Sequence, residues 1–336
     1  MIDRRRNVKS GKSNILVSIC CITYNHAPFI RKALDGFLMQ QAPSCVPQGS
    51  KMSDWCEILI HDDCSTDGTT EIVKEYAAKY PDLIFPLYEE ENQYSKGVKV
   101  DFFNYNRAKG TYIAYCEGDD YWTEPSKLQK QVDFMEAHPD YSICMHGCSV
   151  YDSRSPKKYV SHDFSRYAQT SNKREEGLDF TVKDYFDGYF GQPLTMLFRL
   201  SMFNFDWHNQ YKYYRDTHEI YHLLKAGKGY WMNFNGGVYV KHNGGVSTSV
   251  TIDKSVWEER EHVGELYMHN KDDKELCAYL IEILLWNHDV FKREGRGNEY
   301  YHILKALWRT IPFVVVNVYW VLFKRTLKAR LKDANK

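Results

Sequence analysis

What most constrains this chain is a pattern that recurs three times in its first 120 residues: a short apolar run that stops abruptly at polar or acidic letters. ILVSICCI (15–22) gives way to Thr23, Tyr24 and Asn25, CEILIHDD (56–63) ends on Asp62 and Asp63, and TYIAYCE (111–117) runs into the acidic letters EGDD, residues 117–120. Continuous β-branched and apolar runs of this length suit strands buried on both faces of a parallel sheet. Between them the spacing turns helical. APFIRKALDGFLMQQ (27–41) repeats apolar letters at Ile30, Leu34, Phe37 and Leu38 and puts Pro28 in a first helical turn. A second helix is expected from about Thr69 to Tyr80, capped by Ser65 or Thr66 and ended by Pro81. VKVDFFNYNRAKG (98–110) reads as a third, stopped by Gly110, and LIFPLYE (83–89), broken by Pro86, as an edge strand. Such alternation folds into an open, mostly parallel, twisted sheet with right-handed crossovers, and ligands bind at the carboxyl ends of its strands.

Three strand ends therefore converge on one crevice. No G-x-G-x-x-G follows the first strand and no Walker A lysine motif occurs, which argues against a dinucleotide fold, a P-loop or a nucleotidyltransferase. Acids stand where glycines would cradle phosphate. Hard oxygen ligands suit Mg2+ or Mn2+, ions that complete their coordination with substrate phosphate.

Charge and cysteine content narrow the partners. The 44 Lys and Arg balance 44 Asp and Glu, so no global field favours nucleic acid. Nine cysteines form no C-x-x-C pair, which suggests a reducing compartment. The opening letters MIDRRRNVKSGKSN lack the apolar core of a secretory signal, and a cytoplasmic location is expected. Helical patterns return after Asp253 and lead to IPFVVVNVYWVLF (311–323), which precedes the basic KRTLKARLK. That apolar run is short of the roughly 20 residues that span a bilayer. Two readings stay open: peripheral contact with the inner face of the cytoplasmic membrane, or a last helix docked on the domain with a solvated tail.

Taken in order, VSICCITYN, EILIHDDCSTDGT and YIAYCEGDDYW resemble the successive signatures of family 2 glycosyltransferases with the GT-A fold, and the resemblance extends over about residues 14–245. It implies an α/β, Rossmann-like, mostly parallel sheet flanked by helices, with a C-terminal helical extension. The expected layout is a tail (1–13), a catalytic domain (14–250, with a nucleotide-sugar half 14–150 and an acceptor half 151–250) and a helical extension (251–336). It further implies metal-dependent, inverting transfer from a nucleotide sugar, a UDP sugar, to a hydroxyl of a glycan or lipid-linked acceptor in surface polysaccharide synthesis. By the same resemblance Asp63 or Asp62 contacts the nucleobase, flanked by Thr23 and Tyr24 with Asn25 in the same loop. The D-x-D element that binds ribose and metal is here Glu117-Gly118-Asp119, with glutamate in place of its first aspartate. Asp119 matches the metal ligand, and Asp120 either assists or caps the helix near Pro125. Asp216, at the start of a helix followed by a strand and KHNGG, matches the base that takes the acceptor proton. His242 matches a histidine near the diphosphate and metal, with turn-capping as its other reading, and Gly244-Gly245 would let backbone approach phosphate.

One motif competes. HEIYH (218–222) fits the H-E-x-x-H pattern of zinc peptidases, with His218 and His222 as ligands and Glu219 as base, although no third ligand is evident. A non-catalytic nucleotide-sugar-binding module is a further alternative. GQPLTMLFRL (191–200) reads as a strand bearing secondary candidates Gln192 and Arg199 for acceptor or phosphate contacts, and the polar stretch 155–177 as a surface excursion.

Overall fold

The computed structural model describes residues 15–155, 159–161, 173–174, 177–188, 191–212, 214–245 and 252–334. The N-terminal tail and most of the 155–177 stretch lie outside the described residues. The chain divides into two compact units, the first made of residues up to Asp179, Phe190–Phe203 and Ala226–Lys241.

The first unit is built on the predicted alternation. β1 (Val17–Thr23), β2 (Cys56–Asp62), β3 (Ile84–Tyr88) and β4 (Tyr112–Tyr115) pair in parallel in the order β3-β2-β1-β4. β3 ends this run, as Pro86 requires. β1 and β2 are buried along nearly their whole length, consistent with sheet faces covered on both sides. α1 (Ile30–Leu38) buries Ile30, Ala33, Leu34 and Phe37, but it starts after Pro28, which sits in the preceding turn and not in the helix. α2 (Thr69–Lys79) takes no cap from Ser65 or Thr66. Its N-cap is Gly68 at φ +99°, a left-handed conformation that glycine adopts without steric cost, while the Asp67 carboxylate accepts the Thr69 N–H at 3.0 Å. α3 (Asp101–Arg107) ends earlier than expected, because Ala108 is already extended. Gly110 serves the sheet: a Cβ there would lie 2.5 Å from the Ser18 backbone nitrogen on the neighbouring strand.

Beyond β4 the sheet changes sense. After β5 (Tyr121–Trp122), α4 (Lys127–Ala137) and β6 (Tyr141–Asp152), the strands β7 (Tyr159–Ser161), β8 (Lys173–Arg174) and β9 (Gly177–Phe180) occupy parts of the stretch read as irregular. β10 (Leu197–Arg199) inserts antiparallel between β4 and β6, and β11 (Lys228–Lys241) runs parallel to β6 while β5 pairs antiparallel to β11. Arg199 is not a phosphate contact. It pairs in register with Tyr112 at the amino end of β4, away from the acidic carboxyl end, and its guanidinium donates to Met135 O (2.7 Å) and Tyr112 Oη (2.9 Å). A charge that reads as a ligand in sequence here fixes carbonyl and phenol groups of the scaffold.

The second unit comprises Phe180–Tyr189, Asn204–Lys225 and the residues from His242 onward. It contains α5 (Val182–Gly188), α6 (Trp207–Gln210), most of α7 (Asp216–Ala226), α8 (Ile252–His269), α9 (Lys274–Arg293), α10 (Gly297–Leu307) and α11 (Pro312–Ala334). α9 is central, touching α5, α8, α10 and α11 and burying Leu276, Leu280, Leu284 and Phe291. Asp273 caps it by accepting the Glu275 and Leu276 N–H groups, and also receives Tyr221 Oη (2.9 Å) and Lys225 Nζ (3.0 Å) from α7. Among the described residues no helix is long and apolar enough to cross a membrane.

The histidines of HEIYH belong to this packing. His222 is stacked on Trp207 and its Nε2 lies 2.8 Å from Tyr211 Oη, while His218 is buried between Tyr211 and Tyr214 with Nδ1 accepting the Arg215 N–H. Neither joins Glu219 in any group of metal-ligating side chains within coordinating reach among the described residues. The pattern arises because two residues one turn apart share the inner face of α7. Burial, helped by the charge of His269, lowers His222 to about 4, and burial with the charge of Arg215 lowers His262 to about 4. Both rings stay neutral in the fold while an unfolded chain would protonate them below about 6.5. Stability is therefore full above that value and declines as pH falls from about 6.5 towards 4, by at most roughly 1.4 kcal/mol per pH unit for each ring, less for residual solvent exposure. Urea midpoints measured at pH 7 and pH 5 should show this loss, and it should shrink in His222→Gln and His262→Gln. An unchanged pH dependence in both variants would remove these rings as its source.

Candidate active site

The carboxyl ends of β1, β2 and β4 lie side by side, since Thr23 pairs with Asp62 and the Gly118 N–H donates to Ile22 O at 2.9 Å. The β1 and β2 ends are stitched together by their loops. Asn25, at φ +55°, accepts the Thr66 N–H through Oδ1 (2.8 Å) and donates its own N–H to Ser65 Oγ (2.9 Å). His26 N–H reaches Thr69 Oγ1 (2.8 Å) and Ala27 N–H reaches Asp67 Oδ2 (3.0 Å). Asn25 thus shapes the loop with its polar atoms, and the ring that this loop offers to solvent is Tyr24, 44% exposed.

The two acids at the end of β2 order their surroundings. Asp62 accepts from the Ser65 N–H and the Thr70 hydroxyl, while Asp63 accepts the Gln93 N–H on Oδ1 (2.7 Å) and the Tyr94 N–H on Oδ2 (3.0 Å). Both are almost wholly buried. Each Asp63 oxygen has a second lone pair, so fixing the 92–94 turn leaves acceptor capacity at a strand end beside Tyr24.

The end of β4 carries the strongest electrostatic signal. Glu117, Asp119 and Asp120 each offer a carboxylate oxygen within 4.8 Å of the others. Asp120 Oδ1 accepts the Val240 N–H of β11 at 2.8 Å, but its Oδ2 is buried and has no hydrogen-bond partner among the described residues, as is the case for Thr23 Oγ1. Burial, then the charges of Asp119 and Glu117, push the Asp120 carboxyl well above the usual range. A divalent cation among these oxygens would relieve the repulsion and give Asp120 Oδ2 a partner, so the residues present fit such an ion. Gly118 allows the close approach: a Cβ there would lie 2.7 Å from Thr23 Oγ1 and 2.9 Å from Ile30 Cδ1.

The structure adds one residue that sequence reasoning passed over. His26 Nε2 lies 3.8 Å from Asp119 Oδ2, brought there by the β1 loop. Its sequence signal was only its place, three residues beyond a strand end. Asp216 is the first residue of α7, where the helix amino end favours negative charge, and its Oδ1 accepts the Thr217 N–H at 2.9 Å. His242 is buried and shapes the turn after β11, with Nδ1 accepting the Gly244 N–H at 3.2 Å and its carbonyl the Gly245 N–H at 3.1 Å.

Residues 18–197, more than half of the chain, match the model of Glycosyl transferase family 2. The chain belongs to glycosyl transferase family 2. An uncharacterised protein of Mycobacterium tuberculosis (strain ATCC 25618 / H37Rv) is 43% identical over 135 residues, which cover 40% of this chain and 35% of its own length. TuaG of Bacillus subtilis (strain 168), which carries the provisional name of a teichuronic acid biosynthesis glycosyltransferase, is 35% identical over 146 residues, 43% of this chain and 52% of TuaG. The chain thus spans from about a third to about half the length of these relatives. Among solved structures, S. aureus TarS 1–349 in complex with UDP-GlcNAc superposes with a TM-score of 0.62 at 18% identity, covering 90% of this chain and 84% of that one. The mannosyltransferase PcManGT of Pyrobaculum calidifontis in complex with GDP-Man and Mn2+ gives 0.50 at 17% identity, over 93% and 83% of the respective chains. These likenesses establish the fold, and the family 2 chain has the α/β GT-A architecture that its sequence predicts.

Proposed function

We propose that this family 2 chain is a metal-dependent, inverting glycosyltransferase that moves a sugar from a UDP sugar to a hydroxyl of a glycan or lipid-linked acceptor. The observation that carries the reading is the cluster of Glu117, Asp119 and Asp120 with the partnerless, buried Asp120 Oδ2 at the end of β4. The chemistry explains the need for it. Cleaving a sugar to phosphate bond leaves a nucleoside diphosphate whose growing charge must be stabilised, and Mn2+ or Mg2+, when bound, supplies that as a Lewis acid. Asp119 and Asp120 are the proposed ligands, with His242, two residues along the chain from Val240, as a further one. Tyr24 and Asp63, or its neighbour Asp62, hold the base, with Thr23 and the Asn25-shaped loop beneath it. Glu117 and Gly118 border the ribose. Asp216 accepts the acceptor's proton as the hydroxyl attacks the anomeric carbon. Support for the donor class comes from the neighbours in fold, which were solved with UDP-GlcNAc and with GDP-Man and Mn2+; support for an envelope glycan comes from the name carried by TuaG.

The test is calorimetric titration of UDP into metal-stripped protein, with and without manganese, beside an elemental assay for zinc. The expected result is manganese-dependent binding of UDP in preference to GDP, and no stoichiometric zinc. Stoichiometric zinc without UDP binding would overturn the proposal, and preference for GDP would change the donor. Binding without turnover across a donor screen would leave a nucleotide-sugar-binding module.

A further inference from the structure

α11 is apolar on two opposite faces, and packing uses only one. Val314, Val315, Val318 and Leu322 are buried within the helical unit. On the other side Phe313 (65% exposed), Val316, Trp320 (54%), Phe323 (57%) and Leu327 face solvent. Steps of three, four, three and four residues set these five in a single line, about 21 Å long at 1.5 Å per residue. Among the described residues the helix thus docks by one face and leaves an apolar stripe exposed on the other.

The surroundings of the stripe are basic and aromatic. Lys324 and Lys328, one turn apart, are exposed beside it, with Lys324 Nζ 4.8 Å from the Trp320 ring centroid, whereas Arg325 is held by Asp289 at 3.1 Å. From Pro312 to Lys332 the sequence contains no Asp or Glu, while residues 324–332 contain five Lys or Arg. Nearby, Tyr301, His302, Lys305, Trp308 and Tyr319 line an open cleft of about 320 Å³, in which the Tyr301 and Tyr319 rings stack 6.2 Å apart. Trp308 and Tyr301 are exposed.

We propose that this face of α11, with the adjoining cleft, docks on an anionic lipid bilayer, the cleft receiving a phosphate headgroup beside Lys305. Charge complementarity selects this occupant. Two copies of this face in contact would bring the Lys324 and Lys328 charges of each against those of the other, whereas an anionic surface answers both. Aromatic rings with polar tips settle at the headgroup level, and a helix too short in apolar length to cross lies along the surface. The proposal does not depend on the transfer reaction.

Sedimentation of the full chain with phosphatidylcholine vesicles, alone or mixed with phosphatidylglycerol, tests it. Binding should be at least about tenfold stronger to the mixed vesicles and should weaken with added salt. The double variant Trp320→Ser/Phe323→Ser should lose binding to both by about tenfold or more while its circular dichroism stays unchanged. Lys324→Glu/Lys328→Glu, a surface change that leaves the apolar line intact, should abolish only the preference for anionic lipid. Equal binding to both lipids, no binding, or a concentration-dependent dimer lost in the Trp320/Phe323 variant would each overturn the proposal.

Discussion

Asp119→Asn should lower sugar transfer by roughly 10²- to 10⁴-fold, the equivalent of several kcal/mol of stabilisation of the departing diphosphate. The side chain keeps its shape and loses its charge, so the change isolates the electrostatic role. Manganese affinity should fall with it, and UDP binding should lose most of its dependence on the metal. Stability should move the other way or not at all. Asp119 is one of the two charges that push the buried Asp120 carboxyl up, and removing it relieves repulsion in a site without cation. Transfer assays, a metal titration and a melting curve on one preparation separate these effects. Full transfer by the variant would rule out Asp119 as a metal ligand.

Asp216→Asn should also cost about 10²- to 10⁴-fold in transfer, but with a different signature. UDP and manganese binding should stay at the level of the unaltered protein, because the proposed loss lies in proton removal from the acceptor. The amide can still accept the Thr217 N–H that Asp216 Oδ1 accepts, so α7 should keep its amino end. Undiminished transfer would move the base elsewhere, with Glu219 the next acid on α7.

The parts of the fold legible in sequence were those that one local pattern dictates. β1, β2 and β4 announce themselves because strands covered on both faces must be apolar throughout, and Pro86 marks β3 as an edge because it lacks a donor. The strand-end acids followed, since topology alone places those ends together. What escaped depends on partners distant in sequence. Nothing in the three residues of β10 says that they will insert antiparallel between β4 and β6. Arg199 reads as a ligand until its carbonyl partners are seen, and His26 reads as a loop residue until the fold brings Asp119 within 3.8 Å. The amino end of α2 was misread because left-handed glycine and Asp67 do the work expected of Ser65 or Thr66. HEIYH shows the reverse error. Spacing alone satisfied the motif, while its chemistry depends on what Tyr211, Tyr214 and Trp207 place around the rings.

The cross-stitched loops after β1 and β2 bear on the thermodynamics of donor capture. Asn25, His26 and Ala27 are held to residues 65–69 by hydrogen bonds within the protein, and Asp63 holds the 92–94 turn. A nucleotide bound there as proposed would meet walls whose torsional freedom was surrendered during folding, with little ordering entropy left to lose on that side of the crevice. Affinity for the nucleoside half of the donor should then reflect contact quality more than loop closure.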